Sequence, residues 1–209
     1  MINEPPVKRA VVYVDGQNLF NAAKDAFGYS YPNYDISKLS NTICLQKSWD
    51  LSKIHFYTGI PDLNVDPLRY HFWVSKLATM GTRGIKTFSR PLRYSNQKVE
   101  LKDGTSTTAL VGREKGIDIR IALDIVKGAL ENQYDVAIIF SQDQDLTEAV
   151  EEVREISVRE SRWIKLACAF PFSPAMRNKR GINSTDWVKL DRKIYDACLD
   201  PYDYRKKKP

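Results

Sequence analysis

Histidine and cysteine are scarce in this chain. There are two histidines, His55 and His71, and three cysteines, Cys44, Cys168 and Cys198, among 209 residues. The histidines stand apart and no Cys-x-x-Cys pair occurs, so a zinc site has little material and the cysteines do not read as a disulfide framework. Cys168 lies in the apolar run Leu166-Ala167-Cys168-Ala169-Phe170, where a small buried thiol is expected. No Ser-His-Asp or Cys-His nucleophilic set is evident. Nor does any run approach the roughly 18 apolar residues of a membrane span. Met1–Lys8 carries two prolines and polar residues in place of the apolar stretch of a secretion signal. A cytosolic protein with no membrane partner is the expectation. Internal repeats are absent, as is low-complexity sequence before the C-terminal lysines.

What is present is enough for a core. Hydrophobic residues make up 43% of the chain and aromatics 11%, which argues against global disorder and fits one domain. The formal net charge is +6, and its distribution is uneven. From Arg83 to Arg120 nine cations face four anions, and Arg205, Lys206, Lys207 and Lys208 crowd the C-terminus. A basic surface of this kind favours polyanions, although an ordinary solvated face gives the same statistic.

Periodicity predicts alternating strands and helices. Buried strands are expected at 8–14, 51–58, 85–88, 134–140 and 162–170. Helices are expected at 18–26, 36–46 (with Asp35 as N-cap), 66–80, 116–130 and 146–160. In the 66–80 helix, Leu68, Phe72, Leu77 and Met80 are expected to face the core, with Gly81 as the stop. Between 93 and 111 the pattern changes to a hairpin about Lys102-Asp103-Gly104. A looser segment with Pro171, Pro174 and Gly181 leads to 186–190 and a short helix near 191–199. The expected organisation is a flexible 1–6, a single domain over 7–200 with a hairpin inserted at about 92–112, and a basic tail at 201–209. Alternation of this kind makes a three-layer α/β fold with a parallel sheet, strand order 3-2-1-4-5.

Two strand patterns end in the same way. Val11-Val12-Tyr13-Val14 runs into Asp15-Gly16-Gln17-Asn18, and Ile138-Ile139-Phe140 runs into Ser141-Gln142-Asp143-Gln144-Asp145. Carboxylates at the end of a buried strand are costly unless something pairs with them. On a 3-2-1-4-5 sheet the chain reverses between strands 1 and 4, which opens a crevice at the edge bearing Asp15 and Asp143. The helix beginning at Gly116 starts at that edge and carries Asp118 in its first turn. Asp124 is about 240° further around the same helix and reads as scaffold. Oxygen donors gathered in this way suit Mg²⁺ or Mn²⁺. Arg83, Arg90, Arg93, Arg113 and Lys115 belong to segments that begin or end near the crevice and are the candidates to meet phosphates. Tyr13, Tyr31, Tyr94 and Trp163 are candidates to stack on unpaired bases, with core packing as the competing role.

These motifs resemble those of the NYN domains, a branch of the PIN-like nucleases. Asp15-Gly16-Gln17-Asn18 is similar to their Asp-x-x-Asn opening, Lys115-Gly116-Ile117-Asp118 to their Lys-Gly-x-Asp helix start, and Ser141-Gln142-Asp143-Gln144-Asp145 to their Ser-Gly-Asp-x-Asp. The resemblance spans about 7–170 and is nearest the bacterial LabA-like subgroup. It implies a metal-dependent endoribonuclease, with Asp15, Asp118, Asp143 and Asp145 holding Mg²⁺ or Mn²⁺ and Asn18 orienting substrate or water. RNA, single-stranded or structured, is the implied partner; a homodimer and an unidentified protein partner stay open. Gln142 departs from the pattern, where glycine is usual.

Other phosphoryl-transfer folds fit less well. A haloacid-dehalogenase phosphatase needs a second acid two residues after the first, where Gln17 stands. A response-regulator receiver needs an acidic acceptor after the third strand, where Ser89-Arg90 stand. A dinucleotide fold needs Gly-x-Gly-x-x-Gly after the first strand, which is absent. The surviving alternative is an RNA-binding or regulatory module on the same fold that does not turn over.

Overall fold

The chain alternates residues bound for two different cores. In β1 (Arg9–Asp15), Val11 and Tyr13 point to one face of a sheet, while Ala10, Val12 and Val14 point to the other. Both faces are covered, so the strand reads as a continuous apolar run. A computed structural model describes residues 3–100 and 106–205. Its elements are β1, α1 (Gly16–Phe27), α2 (Ile36–Lys47), β2 (Asp50–Ile60), α3 (Pro67–Thr82), β3 (Lys86–Pro91), β4 (Arg93–Glu100), β5 (Ser106–Arg113), α4 (Ile117–Leu130), β6 (Val136–Phe140), α5 (Thr147–Arg159), β7 (Lys165–Pro171), β8 (Asp186–Leu190) and α6 (Arg192–Ala197). The main sheet is parallel, in the order β3-β2-β1-β6-β7-β8. Helices α1, α2, α3 and α6 cover one face, and α4 and α5 the other.

The expected order 3-2-1-4-5 is present, with β8 added outside β7. Asp-Trp-Val-Lys-Leu is too short to declare itself in sequence and gains its strand character from pairing with β7. Two details of α3 depart from expectation. Leu68, the second residue of the helix, is 77% exposed. Gly81 does not stop the helix, which runs to Thr82 and is followed by Gly84 in the left-handed region at φ 78°. Asp35 does cap α2, accepting from the Ser37 and Lys38 amides. The hairpin β4-β5 stands apart from the main sheet, paired from Arg93–Arg113 to Glu100–Ser106; its Lys102-Asp103-Gly104 turn lies outside the described residues, as do Lys206–Lys208.

Candidate active site

At the carboxyl edge of β1 the chain turns directly into α1, and Asp15 becomes the N-cap of that helix. Its Oδ1 accepts from the Asn18 amide at 2.9 Å. The adjacent β6 ends at Phe140, which is level with Val14, so Ser141-Gln142-Asp143 leaves the sheet beside Asp15. The Ser141 hydroxyl reaches Asp15 Oδ2 at 3.5 Å and accepts from the Asp143 amide at 3.2 Å. Asn18 Oδ1 accepts from the Gln142 amide at 2.8 Å, tying the start of α1 to this turn. Asp143 caps a single 3₁₀ turn at Gln144–Leu146 by accepting from the Asp145 amide.

Asp15 is 7% exposed, and its carboxyl is pushed up to about 7, first by burial and then by the charges of Glu114 and Asp143. No cation is among the groups that perturb it. Glu114 was not singled out by sequence reasoning. It follows β5 and precedes Gly116, whose φ of 74° turns the chain into α4. The Glu114 carboxylate accepts from the Gly59 amide at the end of β2, where a Cβ on residue 59 would collide with it. Burial, opposed by that hydrogen bond and reinforced by Asp118, raises the Glu114 carboxyl as well. The only sequence signal for Glu114 is its place one residue before Lys115-Gly116.

The charges of Glu114 and Asp143 thus each reach Asp15, and that of Asp118 reaches Glu114. Asp145 is exposed on the 3₁₀ turn. Asp124 is held elsewhere: burial opposes its charge, but hydrogen bonds from Arg120 (3.0 Å) and Tyr57 (2.8 Å) outweigh it and lower the carboxyl's pKa. Among the described residues no three His, Cys, Asp or Glu side chains stand close enough to grip a metal by themselves. The donor set nonetheless fits Mg²⁺ or Mn²⁺ in chemistry: hard oxygens about a buried Asp15 that, among the described residues, no cation perturbs. Mg²⁺ in particular keeps several waters and needs only one or two carboxylates.

The proposed phosphate contacts divide. Arg90 lies in β3 level with Gly59, its guanidinium over the Phe88 ring and its Nη1 3.5 Å from the Lys115 carbonyl oxygen. Arg93 and Arg113 are cross-strand partners at the base of the hairpin, and Lys115 is exposed beside them. Arg83 stands apart. It caps the C-terminus of α3 ahead of β3, whose Phe88 is the residue level with Asp15, and so lies toward the opposite edge. It pairs with Asp35 at 3.1 Å.

Cations missed in sequence lie on the other side of the crevice, in Arg177-Asn178-Lys179-Arg180, between β7 and β8. The Gln142 amide donates to the carbonyls of Asn178 (3.1 Å) and Arg180 (2.8 Å), and the Gln144 amide to that of Gly181 (3.0 Å). Gln142 thus anchors a basic loop to the Asp143 turn, and its own backbone is not in the left-handed region. Among the candidate stacking rings, Tyr13 is buried, Trp163 packs under Lys8, and the Tyr94 hydroxyl accepts from the Asp62 amide. Tyr31 lines a cavity.

A three-layer sheet with carboxylates at its topological switch point has the architecture of the PIN-like nucleases. The family model described as NYN domain matches residues 9–161, and the chain belongs to the NYN family, whose members are in general nuclease-like and act on nucleic acid. A protein of unknown function from Vibrio parahaemolyticus shares the fold, at 18% identity and a TM-score of 0.52 over 91% of this chain and 97% of its own. Acinetobacter baumannii MurG aligns at 6% identity and a TM-score of 0.35, covering 87% of this chain and 45% of its own, a level that carries no functional argument. No curated protein matches the sequence. No helix among the described residues is long and apolar enough to cross a membrane.

Proposed function

We propose that this chain is a cytosolic, metal-dependent endoribonuclease that hydrolyses RNA phosphodiester bonds at the crevice between β1 and β6. The observation that carries this reading is the buried carboxyl of Asp15, perturbed by the charges of Glu114 and Asp143 and, among the described residues, by no cation. A module that only bound RNA would gain nothing by gathering anions where a polyanion must dock. Asp15 and Asp143 would hold Mg²⁺ or Mn²⁺, with Asp118, Asp145 and water as further oxygen donors. The bound ion would supply an activated water and neutralise charge on the phosphate. Asn18 fixes the Gln142 backbone and so holds the Asp15 and Asp143 turns together. Arg90, Arg93, Arg113 and Lys115 on one rim, and Arg177, Lys179 and Arg180 on the other, draw the phosphates of the strand into the crevice.

Cleavage of labelled RNA in Mg²⁺ or Mn²⁺, abolished by EDTA, tests the reading. Asp15→Asn and Asp143→Asn should each lower the rate by about 100-fold or more while the circular dichroism spectrum stays native. Full activity in both variants would remove these residues from the site. RNA binding without cleavage in either metal would leave a binding module.

A further inference from the structure

Beside the carboxylate site, on the α1 and α3 face of the sheet, lies a cavity of about 450 Å³, within the usual range for ligand sites. It is contiguous with the crevice. Gly59, whose amide binds Glu114, forms part of its wall, and Gln17, two residues after Asp15, forms another part. Its floor is aromatic: Phe72 and Trp73 are buried and meet edge to face at 5.4 Å. Tyr31 forms a side wall, and the Arg205 guanidinium lies 3.6 Å from the centre of that ring. Leu68, the one residue of α3 that defied its apolar expectation, is at the rim.

The cavity is built rather than incidental, because the segment that brings Arg205 to it is anchored at depth. Lys76, fully buried, donates to Asp200 at 3.2 Å and to the Tyr34 carbonyl at 2.9 Å, between the rings of Tyr34 and Tyr204. Tyr204 packs edge to face on Phe72 at 5.9 Å. Asp203 then grips Arg205 through two hydrogen bonds of 2.9 Å. The lining carries Lys24, Arg69 and Arg205, the last two paired with Asp66 and Asp203; among the described residues no carboxylate lines it, and it offers the side-chain amides of Gln17 and Asn21. An aromatic wall, here Tyr31 with Arg205 over one face of its ring, amides able to pair with the edge of a base, and cations at the mouth are what an unpaired nucleotide requires. An acidic or purely apolar peptide would need only part of this set.

We infer that this cavity is a nucleobase subsite, which seats one unpaired base of a single strand next to the scissile phosphate. Its relation to cleavage rests on the nuclease reading; its capacity to bind a base does not.

The test is fluorescence polarisation in EDTA, where no cleavage occurs, with fluorescein-labelled eight-nucleotide single-stranded RNA and the matching blunt RNA duplex as probes. Three variants are compared: Tyr31→Ala, which removes the stacking face; Asn21→Trp, which fills the cavity from an exposed position; and Arg205→Ala. The two charge-neutral variants should weaken single-strand binding about tenfold or more, change duplex binding less than twofold, and leave the log–log salt slope unaltered. Because Asn21 is exposed on α1, its variant stays informative even if Tyr31→Ala melts early. Unchanged single-strand affinity in Asn21→Trp, or equal losses on both probes, would overturn the subsite. Asp15→Asn separates the two readings: selective loss in the cavity variants with undiminished cleavage by Asp15→Asn would remove Asp15 from the active site and keep the subsite. Lost cleavage in Asp15→Asn with unaltered cavity variants would do the reverse.

Discussion

At position 15 a carboxylate is buried at the end of an apolar strand, and its nearest charged company is two more carboxylates. The folded chain therefore holds a proton on Asp15 more tightly than the unfolded chain does. Stability from that proton is full below about pH 4 and is lost as the pH rises through about 7. In EDTA at pH 8, Asp15→Asn should melt about 5–10 °C above the parent, with the gap closing toward pH 4. Calorimetry across that range checks it; a variant that melts lower at pH 8 would mean that the acid is already compensated within the protein. Asp135 shows the opposite case. It accepts from the Arg9 amide and twice from its guanidinium at 2.8–3.0 Å, and although burial opposes its charge, these bonds hold its carboxyl below the usual range. Its contribution is full above the unfolded pKa of about 4 and disappears as the pH falls through the lower folded value. Asp135→Asn should cost about 1–3 kcal/mol at pH 7 and progressively less in acid, read by urea denaturation at each pH.

Elements decide which of these residues meet. Helix α4 begins at Gly116 in a left-handed conformation, and that turn brings Glu114 back over the end of β2 while Asp118 starts the helix. The hairpin carries Arg93 and Arg113 as a cross-strand pair at its base, a short step along the chain from Arg90. If this base draws in phosphate, Arg90→Ala with Arg93→Ala should weaken RNA binding and flatten the log–log salt slope by about 1–2, measured by polarisation from 50 to 300 mM salt. A slope equal to the parent's would put these side chains away from the strand. The β7–β8 loop supplies the opposing rim through the glutamines at 142 and 144. A glycine at 142 could make the turn but could not hold the loop.

Across the whole molecule, the site draws on parts far apart in the chain. The family match ends at residue 161, yet β7, the basic loop at 177–180 and Arg205 all lie beyond it. The carboxylates at 15, 114, 118 and 143, all inside the matched region, are thus framed by a segment outside it. Tyr204 is buried and Lys76 is spent on Asp200, so the packed chain extends to residue 205. The apolar alternation of β1, the Asp35 cap and the order of the strands were legible because each is set by local pattern or by the handedness of parallel crossovers. Strand β8 and Glu114 were not. The first owes its conformation to pairing with β7, and the second its environment to Gly59, 55 residues earlier.

The sequence by itself determined the three-layer fold, the two strand ends that carry acids, and the family to which they belong, because buried strands and motif spacing are written in near-neighbour order. The tertiary structure decided which charges share a crevice. Asp15 feels both Asp143 and Glu114 there, whereas Arg83 pairs with Asp35 and Asp124 is held by Arg120 and Tyr57. The separation is physical: burial and Coulomb interactions act through distance in space, and distance in space is fixed only when the sheet has closed over both faces.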